Sequence, residues 1–275
     1  MNIEPLSNAL GAEIAGVDWS EPLDQSIVEQ TKAALLHHHL VCLRSDRLSA
    51  AEYADLASHF GEPQLQLLRD ARDPAVPVVS VFDSTYKDAK AKPANLQLDR
   101  RSGWHTDDSY FAIPAKITLL QAITIPSVGG ETRFCNAAAA YEDLDAADKK
   151  AFVPLRAVHS YDTSRAPARA VARKPEEQAD TTDVTHPLIR TNDESGTKAI
   201  YFNSNRTDRI VGLPRNESDA LLDRIHAHMT QKKYQYHHRW HLNDILMWDN
   251  RNVTHSVNMD FPVGETRIHQ RVLLR

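Results

Sequence analysis

The sequence predicts a mainly β fold with helical insertions: a double-stranded β-helix (jelly roll) flanked by α-helices. Three observations predict it. Apolar runs of strand length recur along the chain, the helical segments fall between them without regular alternation, and no glycine-rich phosphate loop opens any helix. A regular strand–helix alternation would instead favour a doubly wound parallel sheet.

Taken in order, residues 24–39 carry apolar positions at helical spacing and end in His37, His38 and His39, side chains that suit the exposed carbonyls of a helix C-terminus. LVCLR (40–44) reads as a strand. Ser49-Ala-Ala-Glu52 is a capping box opening a helix to about Phe60. VPVVSVF (76–82) and KITLLQAITI (116–125) read as strands, and 137–152 as a helix. KAIYFN (198–203) is a further strand, followed by a helix over 217–230 behind Asn216. DILMWDN (244–250) and RIHQRVLLR (267–275) close the set. The segment 162–196 is charged, punctuated by proline and poor in large apolar residues, so it reads as a long mobile loop, of the kind used as a lid.

Composition narrows the function. A 275-residue chain that is 41% hydrophobic and 25% charged can bury a sizeable core. With neither internal repeat nor linker it reads as one domain over 1–275. A formal net charge of −5 argues against a nucleic-acid polymer or an anionic membrane as partner, since both need surplus Lys and Arg. The two cysteines, Cys42 and Cys135, lie in apolar runs and read as buried thiols in a reducing compartment. No signal-peptide pattern opens the chain and no apolar run approaches membrane-spanning length, so a cytoplasmic protein is expected.

Within "GWHTDDSY" (103–110), His105 and Asp107 stand two apart on what reads as the start of a strand, where alternate residues share a face. A third ligand from far downstream, His255 in "WDNRNVTHS", would complete a two-histidine, one-carboxylate face of the kind that leaves positions open on non-haem Fe(II). A His-x-Asp triplet alone is weak, being expected on the order of once by chance. Other histidines fit the site less well. His226 and His228, two apart on a helix, cannot face one metal, and His237 and His238, adjacent on a strand, point opposite ways. His269 shares the parity of Arg267 and Arg271 on the last strand, which leaves it either lining a pocket or packed in the roll. Asp249 can orient a ligand imidazole or simply sit in a turn, while Trp104, Trp240 and Trp248 read as core or pocket-wall aromatics. A zinc hydrolase with the same ligands, and a jelly-roll binding protein without catalysis, remain alternatives.

Further motifs follow in order: "LGAEIAGVDWSEPLD", "HFGEP", "WHTDDSY", "PSVGGETRF", "THPLIRTNDESGTKAIYFN", "RIVGLPRNESDALLDRI", "WDNRNVTHS" and "RIHQR". With them the chain resembles the taurine and 2,4-dichlorophenoxyacetate dioxygenase family of Fe(II)- and 2-oxoglutarate-dependent oxygenases. The resemblance covers most of the chain. It implies His105, Asp107 and His255 as iron ligands, Thr132 and Arg267 as the groups holding the distal carboxylate of 2-oxoglutarate, and O2 as second cosubstrate. It further implies hydroxylation of an unactivated C–H bond with release of succinate and CO2, and Arg271 at the anionic head of the substrate. Tyr161 matches an aromatic pocket position. Arg101, Arg206 and Asp108 depart from the taurine-cleaving pattern, so the expected substrate is a small organic anion other than taurine. Because the chain stops at Arg275, close to its last strand, that sheet edge is expected to be covered by a second copy of the chain in a homo-oligomer.

Overall fold

The computed structural model describes residues 1–84, 103–166 and 173–275. In chain order its strands are β1 (Asn2–Pro5), β2 (Ala12–Ala15), β3 (Leu40–Leu43), β4 (Pro63–Gln64), β5 (Ser80–Asp83), β6 (Ile117–Thr124), β7 (Thr132–Asn136) and β8 (Arg156–His159). They continue as β9 (Val184–Pro187), β10 (Ile189–Thr191), β11 (Lys198–Ile200), β12 (Thr207–Ile210), β13 (Gln235–His238), β14 (Ile245–Asp249), β15 (Val253–Val257) and β16 (Ile268–Leu274). The helices are α1 (Gln25–His38), α2 (Ala50–Ser58), α3 (Ala137–Glu142), α4 (Ala146–Phe152), α5 (Pro175–Ala179) and α6 (Arg215–Met229).

The larger sheet runs β1-β2-β3-β14-β6-β16-β4, with β5 also paired to β16, and β13-β7-β15 forms the facing layer. Side-chain alternation explains why its central strands read as unbroken apolar runs. Leu40 and Cys42 of β3 and Leu246 and Trp248 of β14 pack inward on Phe134 of β7 and Val253 of β15. Their neighbours Val41, Leu43, Ile245 and Met247 pack outward beneath Val28 and Leu35 of α1 and Tyr53 and Leu56 of α2. A strand buried on both faces loses its polar alternation. Each fully buried side chain such as Leu246 or Phe134 stabilises the roll by about 1.5–3 kcal/mol. A second cluster binds α3 and α6 to the smaller sheets β12-β8-β9 and β10-β11.

The predicted capping box is present: the Ser49 hydroxyl accepts from the Glu52 amide and the Glu52 carboxylate from the Ser49 amide. α1 ends at His39, whose left-handed φ of 63° and amide bond to the Leu35 carbonyl close the helix after His37 and His38. Both cysteines are buried free thiols.

Several expectations change. The 76–82 run is a strand only from Ser80, because Val76–Val79 closes a turn. The strand expected at 198–203 ends at Ile200. The 137–152 helix is two, since Asp145 caps α4 by accepting from the Asp148 amide. α6 starts at Arg215 behind Pro214, so Asn216 lies inside the helix and is no cap. The 162–196 segment is not a structureless loop: it contains α5, β9 and β10, and β9 pairs with β8. Nor is β16 an open edge: β6 flanks one side and β4 and β5 of the same chain the other, and the Arg275 amide donates to the Glu62 carbonyl. Among the described residues no helix is long and apolar enough to cross a membrane.

Candidate active site

His255 projects from β15, and His105 joins it through one isolated bridge, the two backbones exchanging amide–carbonyl bonds of 2.9 and 2.7 Å. This corrects the expected strand: after the bridge, Asp107 lies in a turn, and Asp108 takes a left-handed φ of 56° that reverses the chain. The Asp107 side chain reaches the histidines because it is held from outside. Thr118 Oγ1 of β6 donates to Asp107 Oδ2 at 2.7 Å, and Asn250 Nδ2 donates to Thr118 Oγ1 at 2.8 Å. Asn250 Oδ1 accepts from the Asp107 amide at 3.2 Å and from Trp248 Nε1 at 3.0 Å.

The ligand-capable atoms of His105, Asp107 and His255 all lie within 4.8 Å of one another. Protonation suits a cation. His105 Nδ1 sits 2.9 Å from the Gly103 carbonyl, which assigns the proton there and leaves Nε2 bare. Burial lowers the pKa of both imidazoles, that of His255 to about 3, so both are neutral. Burial would raise the Asp107 carboxyl, but the Arg271 guanidinium holds it down at about 2. Two neutral imidazoles and an ionised carboxylate are the donor set of a facial Fe(II) site, so these residues fit that ion.

A second trio, Cys42, His238 and Asp244, is equally close-packed. Here a guanidinium takes the cation's place: Arg44 Nη1 lies 2.7 Å from both Asp244 oxygens, and Nη2 lies 2.6 Å from Glu13.

Arg267 and Thr132 meet as expected. Arg267 Nη2 donates to Thr132 Oγ1 at 3.3 Å, Nε to the Gly130 carbonyl at 3.1 Å and Nη1 to Ser84 Oγ at 3.4 Å. Burial pushes the Arg267 guanidinium down to about 10, still cationic near neutrality. Gly130 has φ +71°, and a Cβ there would meet Pro126 Cγ at 2.9 Å and Arg267 Cδ at 3.3 Å, so only glycine lets the arginine lie this close.

A cavity of about 180 Å³ opens over the triad, and Asp108, Tyr161, Arg206 and Arg271 all line it. Arg271 Nη1 donates to Asp107 Oδ1 at 3.0 Å, and its guanidinium lies 4.4 Å from the Phe82 ring. Arg206 lies 4.3 Å from the Tyr161 ring and donates to the Tyr161 carbonyl at 2.6 Å. Asp108 accepts from Gln64 Nε2 at 2.8 Å and the Tyr110 hydroxyl at 2.9 Å; burial, then Asp107, pushes its carboxyl up to about 6. Arg101 lies outside the described residues.

His269 is packed in the roll with its ring 4.6 Å from Trp240, and it is not among the residues lining this cavity. Asp249 orients no imidazole: it binds Arg251 and Asn192. Thr118, Asn250, Gln64 and Tyr110 were not singled out from the sequence. The available signal was a hydroxyl inside the apolar run ITLL and an amide ending ILMWDN, polar side chains that a doubly buried strand carries only with a partner.

The model of the family described as "Taurine catabolism dioxygenase TauD, TfdA family" matches residues 2–273. An alpha-ketoglutarate-dependent sulfate ester dioxygenase of Pseudomonas putida is 29% identical over 282 residues, covering 100% of this chain and 89% of that protein. The (S)-phenoxypropionate/alpha-ketoglutarate-dioxygenase of Sphingobium herbicidovorans is 30% identical over 264 residues, covering 93% and 88%. The crystal structure of a taurine dioxygenase from Burkholderia xenovorans superposes with a TM-score of 0.84 at 30% identity, covering 99% of this chain and 90% of that one.

Proposed function

This chain belongs to the taurine catabolism dioxygenase TauD, TfdA family, and we propose that it is a 2-oxoglutarate-dependent dioxygenase that hydroxylates a small organic anion at an iron site of His105, Asp107 and His255. Fe(II) bound there supplies the coupling of O2 and 2-oxoglutarate decarboxylation, yielding succinate and CO2, to hydroxylation of a substrate C–H bond.

The protein's part is ligation, orientation and a dry pocket. Gly103 fixes the His105 tautomer so that Nε2 keeps the lone pair a metal would take. Thr118 and Asn250 fix the Asp107 carboxylate. Arg267 and Thr132 take the distal carboxylate of 2-oxoglutarate, because a buried guanidinium beside a hydroxyl offers directed donors to a carboxylate in a low-dielectric setting.

Arg206 and Arg271 face the same cavity, which favours an anionic substrate, and Tyr161 supplies an aromatic wall beside them. Support for the anion also comes from the relatives, whose names specify a sulfate ester and a phenoxypropionate. Asp108 offers an acceptor to a hydroxyl or ammonium group on that substrate. A lid role for the 162–196 segment is supported by two contacts at the edge of the cavity: Arg173 lies 4.1 Å from the ring of cavity-lining Tyr161, and Glu177 of α5 accepts from the Arg69 amide at 2.8 Å, beside cavity-lining Gln66 and Leu68.

The observation that carries the reading is the convergence of two neutral imidazoles and one ionised carboxylate beside a buried arginine–threonine pair. Its test is succinate release from 2-oxoglutarate with Fe(II), ascorbate and O2 across sulfonates, sulfate esters, aryloxyalkanoates and other small anions. Substrate-stimulated, oxygen-dependent succinate is expected. A zinc hydrolase or a binding protein would release none.

A further inference from the structure

Thr132 Oγ1 accepts two hydrogen bonds, from Trp240 Nε1 at 3.1 Å and from Arg267 Nη2 at 3.3 Å. A hydroxyl has two lone pairs and one hydrogen. With both lone pairs engaged the hydrogen must donate elsewhere, and among the described residues nothing accepts it although Thr132 is fully buried. Such a hydrogen awaits an acceptor from a ligand. The indole is itself held edge-on by two rings, His238 at 4.8 Å and His269 at 4.6 Å, so its N–H direction is set by packing. Without that donor, Thr132 Oγ1 would keep a lone pair free and its hydrogen could rotate away.

We propose that Trp240 is a positioning residue for the cosubstrate: its indole N–H turns the Thr132 hydroxyl into a donor toward the distal carboxylate that Arg267 grips. This rests on the placement of that carboxylate at Arg267 and Thr132 proposed above, and the test separates the two. Calorimetry on Fe(II)-loaded protein without oxygen compares 2-oxoglutarate with 2-oxobutyrate, which has the same oxo-acid end and no distal carboxylate. Trp240→Phe keeps an aromatic ring and removes the donor.

Trp240→Phe is expected to weaken 2-oxoglutarate binding about five- to tenfold, the scale of one hydrogen bond, and to leave 2-oxobutyrate unchanged. Thr132→Val loses at least as much, and adding Trp240→Phe to it costs nothing further. In turnover the KM for 2-oxoglutarate rises while kcat at saturation stays within about twofold. Equal weakening of both ligands, no weakening of either, or additive losses in the double variant would overturn the role of Trp240. A wild-type protein that does not prefer 2-oxoglutarate over 2-oxobutyrate would overturn the carboxylate placement itself. Should Trp240→Phe fail to fold, the Trp240 indole ¹⁵N–H resonance of the Zn(II)-loaded wild type decides: a shift with 2-oxoglutarate alone supports the proposal, and a shift with both ligands or neither overturns it.

Discussion

Arg271 Nη1 lies 3.0 Å from Asp107 Oδ1, so one guanidinium touches the carboxylate of the metal-binding group while lining the cavity above it. It keeps Asp107 ionised, yet it is also a cation competing with any metal for that oxygen. Arg271→Met is therefore expected to leave divalent-metal affinity unchanged or tighter while raising the substrate KM at least about tenfold, the scale of a lost charged hydrogen bond. Metal titration with a chelating indicator, alongside steady-state kinetics, checks both halves. Weaker metal binding with an unaltered KM would assign Arg271 to metal-site structure alone.

Thr118 carries the opposite expectation. Its hydroxyl fixes Asp107 Oδ2, and Thr118 is not itself among the residues lining the cavity. Thr118→Val keeps the shape and deletes the donor, so metal affinity should fall about ten- to hundredfold, with substrate KM at saturating metal little changed. The same titration measures it, and an unchanged metal affinity would remove Thr118 from the account.

Gly130→Ala places a methyl group at a left-handed position and against Arg267. It should cost about 1–2 kcal/mol from the backbone alone and raise the KM for 2-oxoglutarate more than that for 2-oxobutyrate. Thermal unfolding and paired kinetics test it. A lowered melting temperature with both KM values unchanged would show that the loop strains without moving the arginine.

His159 gives the pH dependence a sign. Burial depresses its pKa to about 3, with its ring stacked 5.5 Å from Tyr201 and edge-on to His186. In the unfolded chain a histidine titrates near about 6.5. Between these values the unfolded state binds the proton and the folded state resists it, so stability is lost as pH falls from about 6.5 toward 3. His159→Phe should shrink the drop in urea midpoint between pH 7 and pH 5. An equally steep drop in the variant would place the acid sensitivity elsewhere.

Much of this arrangement is legible in the sequence, and the particular residues show why some is not. The central strands β3, β6 and β14 stand out because burial on both faces leaves long apolar runs. His105, Asp107 and His255 stand out because the motifs around them occur in family order. β9 and β10 stay hidden because THPLIRT mixes buried and exposed positions between charged flanks, so their pairing is set by β8 and β11 rather than by local pattern. Thr118, Asn250 and Trp240 act only through side chains brought together from distant strands, and nothing in their local spacing announces that.

The central claim is that His105, Asp107 and His255 hold one divalent ion at the end of a cosubstrate gripped by Arg267. The most direct measurement is an anomalous difference map from crystals grown with Mn(II) and 2-oxoglutarate. The account predicts one strong peak within coordination distance of all three side chains, and a dicarboxylate running from it to Arg267 and Thr132. A peak at Cys42, His238 and Asp244 instead, or a dicarboxylate that does not reach Arg267, would contradict it.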